Sequence, residues 1–552
     1  RDARGAAVRA AAAGRPPQEE ARLLTSPRSA GGGGRQAARV AAGILVTRVL
    51  GYVRERVFAY YFGNDSIPAD AFRAALRIAN IIRNLLTEGT LSASFIPVYA
   101  ALNERSDKSA ARALAGAILG LLLLGSVVVA LVGIAFAPVI TTLIAAGFDE
   151  PRRQLTITLV RILFPMTGLM VISAWCLGIL NTHRRFFLPY AAPALWNIAG
   201  IAAMVVGATW LGNRGLPVAA QLHRLSLALA WGTVAGSVVQ IAVQLPSCWR
   251  VLGGIVPRFS TAPEGVRNVI IAWVPLVLGA GVAQFSSFID TFLGSYAGPG
   301  GLSALTYAQL VQVLPISLFG VSVTAVSLPE LSRDAIGATP NEQLRTRIAV
   351  GFRRIVFFIV PSSIAFIALA REIVAALYQT GRFTADATAL VGSVLAAYGV
   401  GLLGQATVKL FASGFYAMRD TRTPVKIAAL SLVVSTGLAW VLMRWLGAPG
   451  IALGSSIGAF LNTTLHLRDL SRRIGGVLRG PDWRAFGVTL GAGIAAGAAA
   501  VGAAHLSTGL GPVPRGGLVL AIFGMVYAAL TLFLKHPDAI RTWESLTASH
   551  AS

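Results

Sequence analysis

Arg48, Arg54, Arg73, Arg77 and Arg83 lie inside two hydrophobic stretches joined by a short acidic turn, TRVLGYVRERVFAYYFGNDSIPADAFRAALRIANIIRNLLTE, which ends at Glu88. An arginine at the centre of a membrane helix costs roughly 2.5–3.5 kcal/mol. Several facing lipid in one hairpin would cost on the order of 10 kcal/mol or more. The side chains are therefore expected to line a wet cavity inside a helical bundle. There the chemistry of guanidinium is anion binding: a flat fork of donors, charged in any environment, that pairs bidentately with phosphate oxygens. At 100° per residue Thr47 and Arg54 share one face of the first helix, and Arg48, Tyr52 and Glu55 the adjoining one. On the second helix Asp70, Arg73, Arg77, Asn80, Asn84 and Glu88 project within roughly 80° of one another, with Arg83 at the margin. The plainer reading is a salt-bridge ladder with snorkelling ends. It is assigned to Arg56 and Arg73, toward the outer surface; Arg48, Arg77 and Arg83, nearer mid-span, are read as ligand-facing.

The elements that must hold these residues are membrane helices. The chain has 552 residues, 55% hydrophobic and 13% charged, with a mean hydropathy of +0.67. Soluble domains carry about 25% charged residues, so this composition predicts an all-α polytopic membrane protein. Apolar runs long enough to span recur near 38–62, 69–101, 112–145, 154–180, 187–211, 222–247, 268–296, 301–329, 355–370, 387–417, 427–446, 448–467, 485–504 and 515–534. That is about 14 transmembrane helices. Helices are required because lipid leaves no partner for an unpaired backbone group. The formal net charge of +24 would suit nucleic acid if it formed a patch on a soluble domain. Its distribution argues otherwise. About 31 of the 47 Lys and Arg fall in the tails and the even-numbered loops, which places both termini in the cytoplasm and leaves no nucleic acid partner. The even loops include HRR (183–185), RDTRTPVK (419–426) and RDLSRR (468–473), and the basic charge also attracts anionic lipid headgroups.

Residues 1–36, rich in Arg, Ala and Gly, are expected to be a disordered cytoplasmic tail rather than a transit peptide. Two cysteines imply no disulfide framework, and Cys176 reads as a packed core residue; six scattered His make no metal cluster. A faint internal repeat predicts two halves of equal orientation. RERVFAYYFG (54–63) parallels IDTFLGSYAG (289–298), setting Glu55 opposite Asp290, and GILNTHRRFFLP (178–189) parallels GFYAMRDTRTP (414–424).

The ordered set TRVLGYVRE (47–55), IANIIRNLLTEGTLSASFIPV (78–98), RILFP (161–165), LGILNTHRRFFLP (177–189), LPISLFGVSV (314–323) with LPELS (328–332), and GFYAMRDTRTPVKIA (414–428) resembles the MurJ (MviN) family of lipid II flippases. That family belongs to the multidrug, oligosaccharidyl-lipid and polysaccharide exporter superfamily. The resemblance implies two six-helix lobes around a central cavity, an N-lobe at 37–250 and a C-lobe at 251–470. Two further helices follow at 471–552, continuing a lipid-facing groove. It implies a monomer in the bacterial cytoplasmic membrane, in contact with bilayer lipids. Its activity would move lipid II, the undecaprenyl-diphosphate-linked peptidoglycan precursor, from inner to outer leaflet by alternating access. The pyrophosphate would be held by Thr47, Arg48, Arg54, Asp70, Arg77, Asn80, Arg83 and Glu88.

The chain also departs from the family. Many relatives carry an Arg in the eighth helix, where Gln309 and Leu310 stand here. A sodium site in some relatives uses an Asp of the seventh helix, matched by Asp290, with polar residues in the eleventh, matched by Ser435 and Ala439. Asp290 is thus a sodium candidate with an incomplete ligand set, and Lys409 is a candidate partner for it. No cofactor is implied; with no GxxxxGK[ST] stretch for ATP, the membrane potential is the expected drive. Three other activities fit less well. A flippase for another polyprenyl-diphosphate oligosaccharide needs the same site. A drug antiporter should line its cavity with carboxylates. A polyprenyl-phosphate glycosyltransferase, an enzyme, usually needs a carboxylate-bearing external loop or soluble domain, and the outside loops here are short.

Overall fold

The computed structural model describes residues 30–87, 90–105, 107–212, 214–321 and 340–548, and among them every regular element is a helix. The first half holds α1 (Ala30–Phe62), α2 (Ile67–Thr87), α3 (Thr90–Glu104), α4 (Lys108–Ala135), the short α5 (Ala137–Ile144), α6 (Glu150–Thr182), α7 (Phe187–Ala191), α8 (Pro193–Gly212) and α9 (Val218–Leu252). The second half holds α10 (Val266–Tyr296), α11 (Gly301–Pro315) with a π-helical end over Ile316–Val321, α12 (Pro340–Ala368), α13 (Ala370–Tyr378), α14 (Ala385–Ala417), α15 (Arg422–Leu446) and α16 (Ala448–Ile474). Then come α17 (Gly480–Leu506), α18 (Pro512–Phe533) and α19 (Pro537–Ala548).

Among the described residues 12 segments are long and apolar enough to cross a membrane. Helices α1 and α16 fall outside that set, yet at 33 and 27 residues they match the spans in length. They occupy the positions of the expected first and twelfth spans. The boundary expected at residue 36 falls inside α1, which already runs from Ala30. Membrane exposure explains the surface: α4 shows Leu124, Val127, Val128 and Leu131, each at least half exposed, on one face, and α15 shows Val433 and Val441. Soluble proteins rarely expose contiguous apolar patches of this kind.

Each half is built around its fourth span. Helix α6 packs against α2, α4 and α9, and α14 packs against α11, α12, α13 and α16. Both hubs are deeply buried, with Trp175 and Cys176 on α6 and Phe411 and Phe415 on α14 at 0% exposure. The hubs also end alike. Arg184 (φ 56°) and Arg419 (φ 60°) sit in the left-handed region after α6 and α14. The next amide reaches back five residues in both turns, Arg185 N to Leu180 O and Asp420 N to Phe415 O, at 2.8 and 2.9 Å. This is the same helix-ending turn twice, in the two segments that the sequence repeat pairs. In the second copy the Thr423 hydroxyl and amide, with the Arg473 guanidinium, hold the Asp420 carboxyl well below the usual carboxylate range. Helices α17 and α18 lie outside the two halves, against α12 and α13.

At the end of the bundle formed by residues 60–66, 297–303 and 376–383, the halves are tied together. Asp70, 0% exposed on α2, accepts from Gly300 N (2.8 Å), Ser303 N (3.1 Å) and Ser303 Oγ (2.9 Å), capping the start of α11 across the boundary. Arg152 Nε stands 3.4 Å from the same carboxylate. Asn64 Nδ2 donates to Gly300 O, Tyr307 Oη to Gly63 O, and Arg382 N to Tyr60 O. Glycine makes this approach feasible. A Cβ on Gly381 (φ 54°) would lie 2.4 Å from Tyr60 O, and one on Gly63 (φ 68°) 2.7 Å from Arg382 O. Arg56, expected to snorkel toward lipid, instead donates to Ala376 O and Leu377 O at 2.8 and 3.0 Å. It belongs to the same joint, because α13 offers it two carbonyls left unpaired at a helix end.

Candidate functional site

Immediately below that joint, Glu55 and Arg73 form a buried ion pair, Oε2 to Nη2 at 2.6 Å. The Arg73 guanidinium lies between the Phe58 and Tyr307 rings, 4.4 and 4.5 Å from their centroids. Tyr307 also packs on Tyr378 and Phe383. Expected to be an ion-pair residue rather than a ligand, Arg73 is one, and with these rings it floors a polar cavity between α1, α2 and α11.

The cavity has two chambers. One, of about 360 Å³, is lined by Arg54, Glu55, Arg73, Arg77, Asn80, Gln309 and neighbouring apolar groups. The other, of about 220 Å³, is lined by Arg48, Tyr52, Arg54, Glu55 and the α11 residues Leu310, Val313 and Leu314. Arg54, Glu55, Leu310 and Val313 belong to both, so the chambers adjoin. Helical periodicity puts the basic residues there. Arg77 and Asn80 are one turn apart on α2, while Arg48 and Arg54 lie on adjoining faces of α1. The Arg54 guanidinium is held by two contacts, its Nη2 2.6 Å from Glu55 Oε1 and its Cζ 4.4 Å from the centre of the Trp196 ring. The Asn80 Oδ1 is buried with no hydrogen-bond partner among the described residues. Three guanidinium groups facing one wet hollow can grip an anion of diphosphate size.

Arg77 reaches across the boundary. Its Nη2 donates to Gln309 Oε1 at 2.6 Å and stands 3.8 Å from Asp290 Oδ2. Gln309 Nε2 in turn donates to Asp290 (3.2 Å) and Tyr398 Oη (2.9 Å). The partner of Asp290 is therefore Arg77 with Gln309. Lys409, the partner expected from sequence, is exposed on α14 and makes no ion pair among the described residues. This arrangement does not suit a sodium ion at Asp290: a guanidinium already faces the carboxylate, and Ala439 has no side-chain oxygen.

The remaining residues expected to hold substrate are placed otherwise. Thr47 is a packing residue: its Oγ1 donates to Tyr190 O (3.0 Å) and its carbonyl accepts from Asn197 (3.4 Å), fastening α1 to the α7–α8 segment. Asp70 is the buried cap of α11 and lines neither chamber. Arg83 lies one turn beyond Asn80, its Nε and Nη2 on Asn84 Oδ1 at 3.2 and 3.0 Å, with Asn84 Nδ2 3.4 Å from Gln284 of α10. It continues the stripe without lining the two chambers. Glu88 lies outside the described residues, as does LPELS (328–332).

Beside the polar cavity lies an apolar groove of about 720 Å³ that reaches the last span; the resemblance implied a lipid-facing groove there, while its lining residues were not named from sequence. Tyr52 and Leu314 border both; the groove then runs along Leu318 and Phe319, past Phe358 of α12, to Phe523 and Tyr527 of α18. Its walls come from helices remote in sequence, so no local pattern announces it. Helix α18 carries no charge from Gly516 to Phe533, and its packing on α13 and α17, with Tyr527 on Phe357 of α12, makes it a wall.

The family model described as lipid II flippase MurJ matches residues 58–513. The lipid II flippase MurJ of Burkholderia cenocepacia is 34% identical over 463 residues, 83% of this chain and 87% of that protein. The probable lipid II flippase MurJ of Rhizobium meliloti is 31% identical over 439 residues, 78% of this chain and 79% of that one. A solved structure titled as lipid II flippase MurJ in an inward closed conformation superposes with a TM-score of 0.72 at 21% identity, covering 90% of this chain and 98% of its own. An inward-facing multidrug transporter of the MATE family superposes at 0.61 with 19% identity, covering 80% of this chain and 98% of its own. These two show the fold alone. On the family match and the two sequence relatives, the chain belongs to the MurJ family of lipid II flippases.

Proposed function

We propose that this protein is a lipid II flippase that holds the diphosphate in the cavity walled by Arg48, Arg54 and Arg77, with Asn80 beside them. The observation that carries this reading is the junction of that cavity with the apolar groove through Tyr52 and Leu314. A polyprenyl diphosphate is a doubly anionic head on a long hydrocarbon chain, and the two hollows answer those two parts. The protein acts as a transporter, making and breaking no covalent bond, in the bacterial cytoplasmic membrane.

The excess of basic residues on one side of the bundle supports placing the tied end outside and both termini in the cytoplasm. The cavity then receives its ligand from the inner leaflet while Asp70, Arg56 and the glycine contacts keep the outer end shut. Release outward would require these bonds to part and the inner end to close. The carboxylates have a role here: with no ligand bound, Glu55 and Asp290 keep the arginines from repelling one another. The potential across the membrane, worth about 2.3 kcal/mol per elementary charge per 100 mV, is the proposed drive.

The test is leaflet accessibility of labelled lipid II in cells depleted of their own flippase and supplied with this chain. Charge-assisted hydrogen bonds contribute about 1.5–3 kcal/mol each. Arg48→Ala, Arg54→Ala and Arg77→Ala are each expected to lower transport by about ten- to hundredfold with normal membrane levels, while Thr47→Ala keeps it. Normal transport in all three arginine variants would reject the site.

A further inference from the structure

A second apolar groove, of about 340 Å³, opens on the other side of the boundary between the halves. One wall is the α4 stripe Ile118, Leu121, Leu122, Gly125 and Val129; the facing wall is Val269, Ile270, Trp273 and Val274 of α10. It has no part in the arginine cavity and shares no lining residue with it. At 1.5 Å per residue the α4 wall from Ile118 to Val129 is about 16 Å long, about half the thickness of a bilayer's hydrocarbon core.

The mouth of this groove is basic. The linker between the halves is pressed onto α4 at Gly116 and Gly120. A Cβ there would lie 2.3 Å from Val256 O and from Arg258 O respectively, and Arg258 N donates to Gly116 O at 2.9 Å. That fixes the exposed Arg258 within a turn of Ile118 and Leu121. On the facing helix the exposed Arg267 precedes Ile270 and Val274 on one stripe. Neither arginine makes an ion pair among the described residues. The nearby acids are engaged: Glu264 faces Arg105 at 3.6 Å, and Asp107 caps α4 through Ala110 N. Phe259, 68% exposed between the basic positions, is an interfacial side chain. In the wall, the Trp273 indole N–H is buried without a hydrogen-bond partner among the described residues.

We propose that this groove holds one acyl chain of an anionic glycerophospholipid whose phosphate rests between Arg258 and Arg267. The occupant is resident lipid, separate from the transported one. Because α4 belongs to the first half and α10 to the second, its residence biases how the halves move against each other. A one-leaflet hydrocarbon slot with two unpaired arginines at its mouth matches a chain and a negative headgroup together, and a zwitterionic lipid answers only the first.

The test is native mass spectrometry of the full chain released from nanodiscs of phosphatidylglycerol or of phosphatidylcholine. Three forms are compared: wild type, the double variant Arg258→Ala with Arg267→Ala, and Gly125→Trp. A Cβ on Gly125 meets nothing within 4 Å, so the indole can fill the groove without disturbing the helix. Wild type is expected to retain phosphatidylglycerol over phosphatidylcholine. Removing two basic side chains should weaken that retention by about thirtyfold, and the tryptophan should abolish it. Equal retention of the two lipids by wild type would overturn the proposal. Unchanged retention in Gly125→Trp would place the lipid on the surface rather than in the groove, and a dimer blocked by Gly125→Trp would assign the groove to a second copy of the chain; either outcome rejects it.

Discussion

Glu55 makes two 2.6 Å contacts, one to Arg54 in the cavity wall and one to Arg73 in the buried floor, and the two have different consequences. Arg54 is part-exposed and has Trp196 to lean on, so it tolerates loss of the carboxylate. Arg73, 5% exposed, is left with the Phe58 and Tyr307 side chains and no carboxylate among the described residues. Removing one partner of a buried pair costs about 3–5 kcal/mol, because the other charge stays behind unpaired. Glu55→Ala is therefore expected to lower the thermal unfolding midpoint in detergent sharply. Adding Arg73→Met should restore most of it, and a double variant no more stable than the single one would show that the pair does not set the stability of the floor. The cavity arginines carry the opposite expectation, stability kept and transport lost, so the two measurements separate floor from wall on one stripe of α2.

At the scale of elements, α2 organises the boundary. Its first turn caps α11 through Asp70, its middle supplies Arg73 to Glu55, and the next turn sends Arg77 to Gln309 and Asp290. The faint repeat that set Glu55 opposite Asp290 gains a physical meaning here: two carboxylates, one per half, are met by arginines one turn apart on a single helix. The cap makes a separate prediction. Asp70→Ala leaves Gly300 N and Ser303 N without their acceptor, and loss of such a cap costs about 0.5–2 kcal/mol. Amide hydrogen exchange over residues 297–303 should accelerate relative to the middle of α11, and unchanged exchange there would mean the joint does not depend on this carboxylate. Gly381→Ala, which drives a methyl against Tyr60 O, should loosen the same segment from the opposite side.

For the molecule as a whole, two similarly built halves are fastened at one end and part around a charged hollow farther in. In this chain the polar crossing between them is made by the protein's own cation: Arg77 takes the place beside Asp290 that a sodium ion would need. Transport in vesicles is accordingly expected to proceed at the same rate when sodium is replaced by potassium at constant potential, and to fall when the potential is collapsed. A rate that follows sodium would show that Arg77 leaves Asp290 during the cycle. Gln309, at the position where the resemblance leads one to expect arginine, holds an arginine from the other half through its amide oxygen.

Composition and hydrophobic periodicity alone determined that this is a bundle of membrane helices with a cationic seam. A bilayer fixes span length, and lipid tolerates no unpaired backbone and few charges. Arg54 on α1 and Arg77 and Asn80 on α2 were readable as cavity residues because each helix displays its polar side chains at its own period, whatever surrounds it. Thr47, Asp70 and Arg56 were not, because their roles depend on acceptors and donors 143, 233 and 320 residues away. Local sequence gives the face on which a side chain lies; only the packing of one half on the other decides whether that face meets water, lipid or a carbonyl. The partner of Asp290, the lining of the apolar groove running to α18 and the groove between α4 and α10 were decided at that level alone, since each is a space or a contact between helices that no single helix encodes.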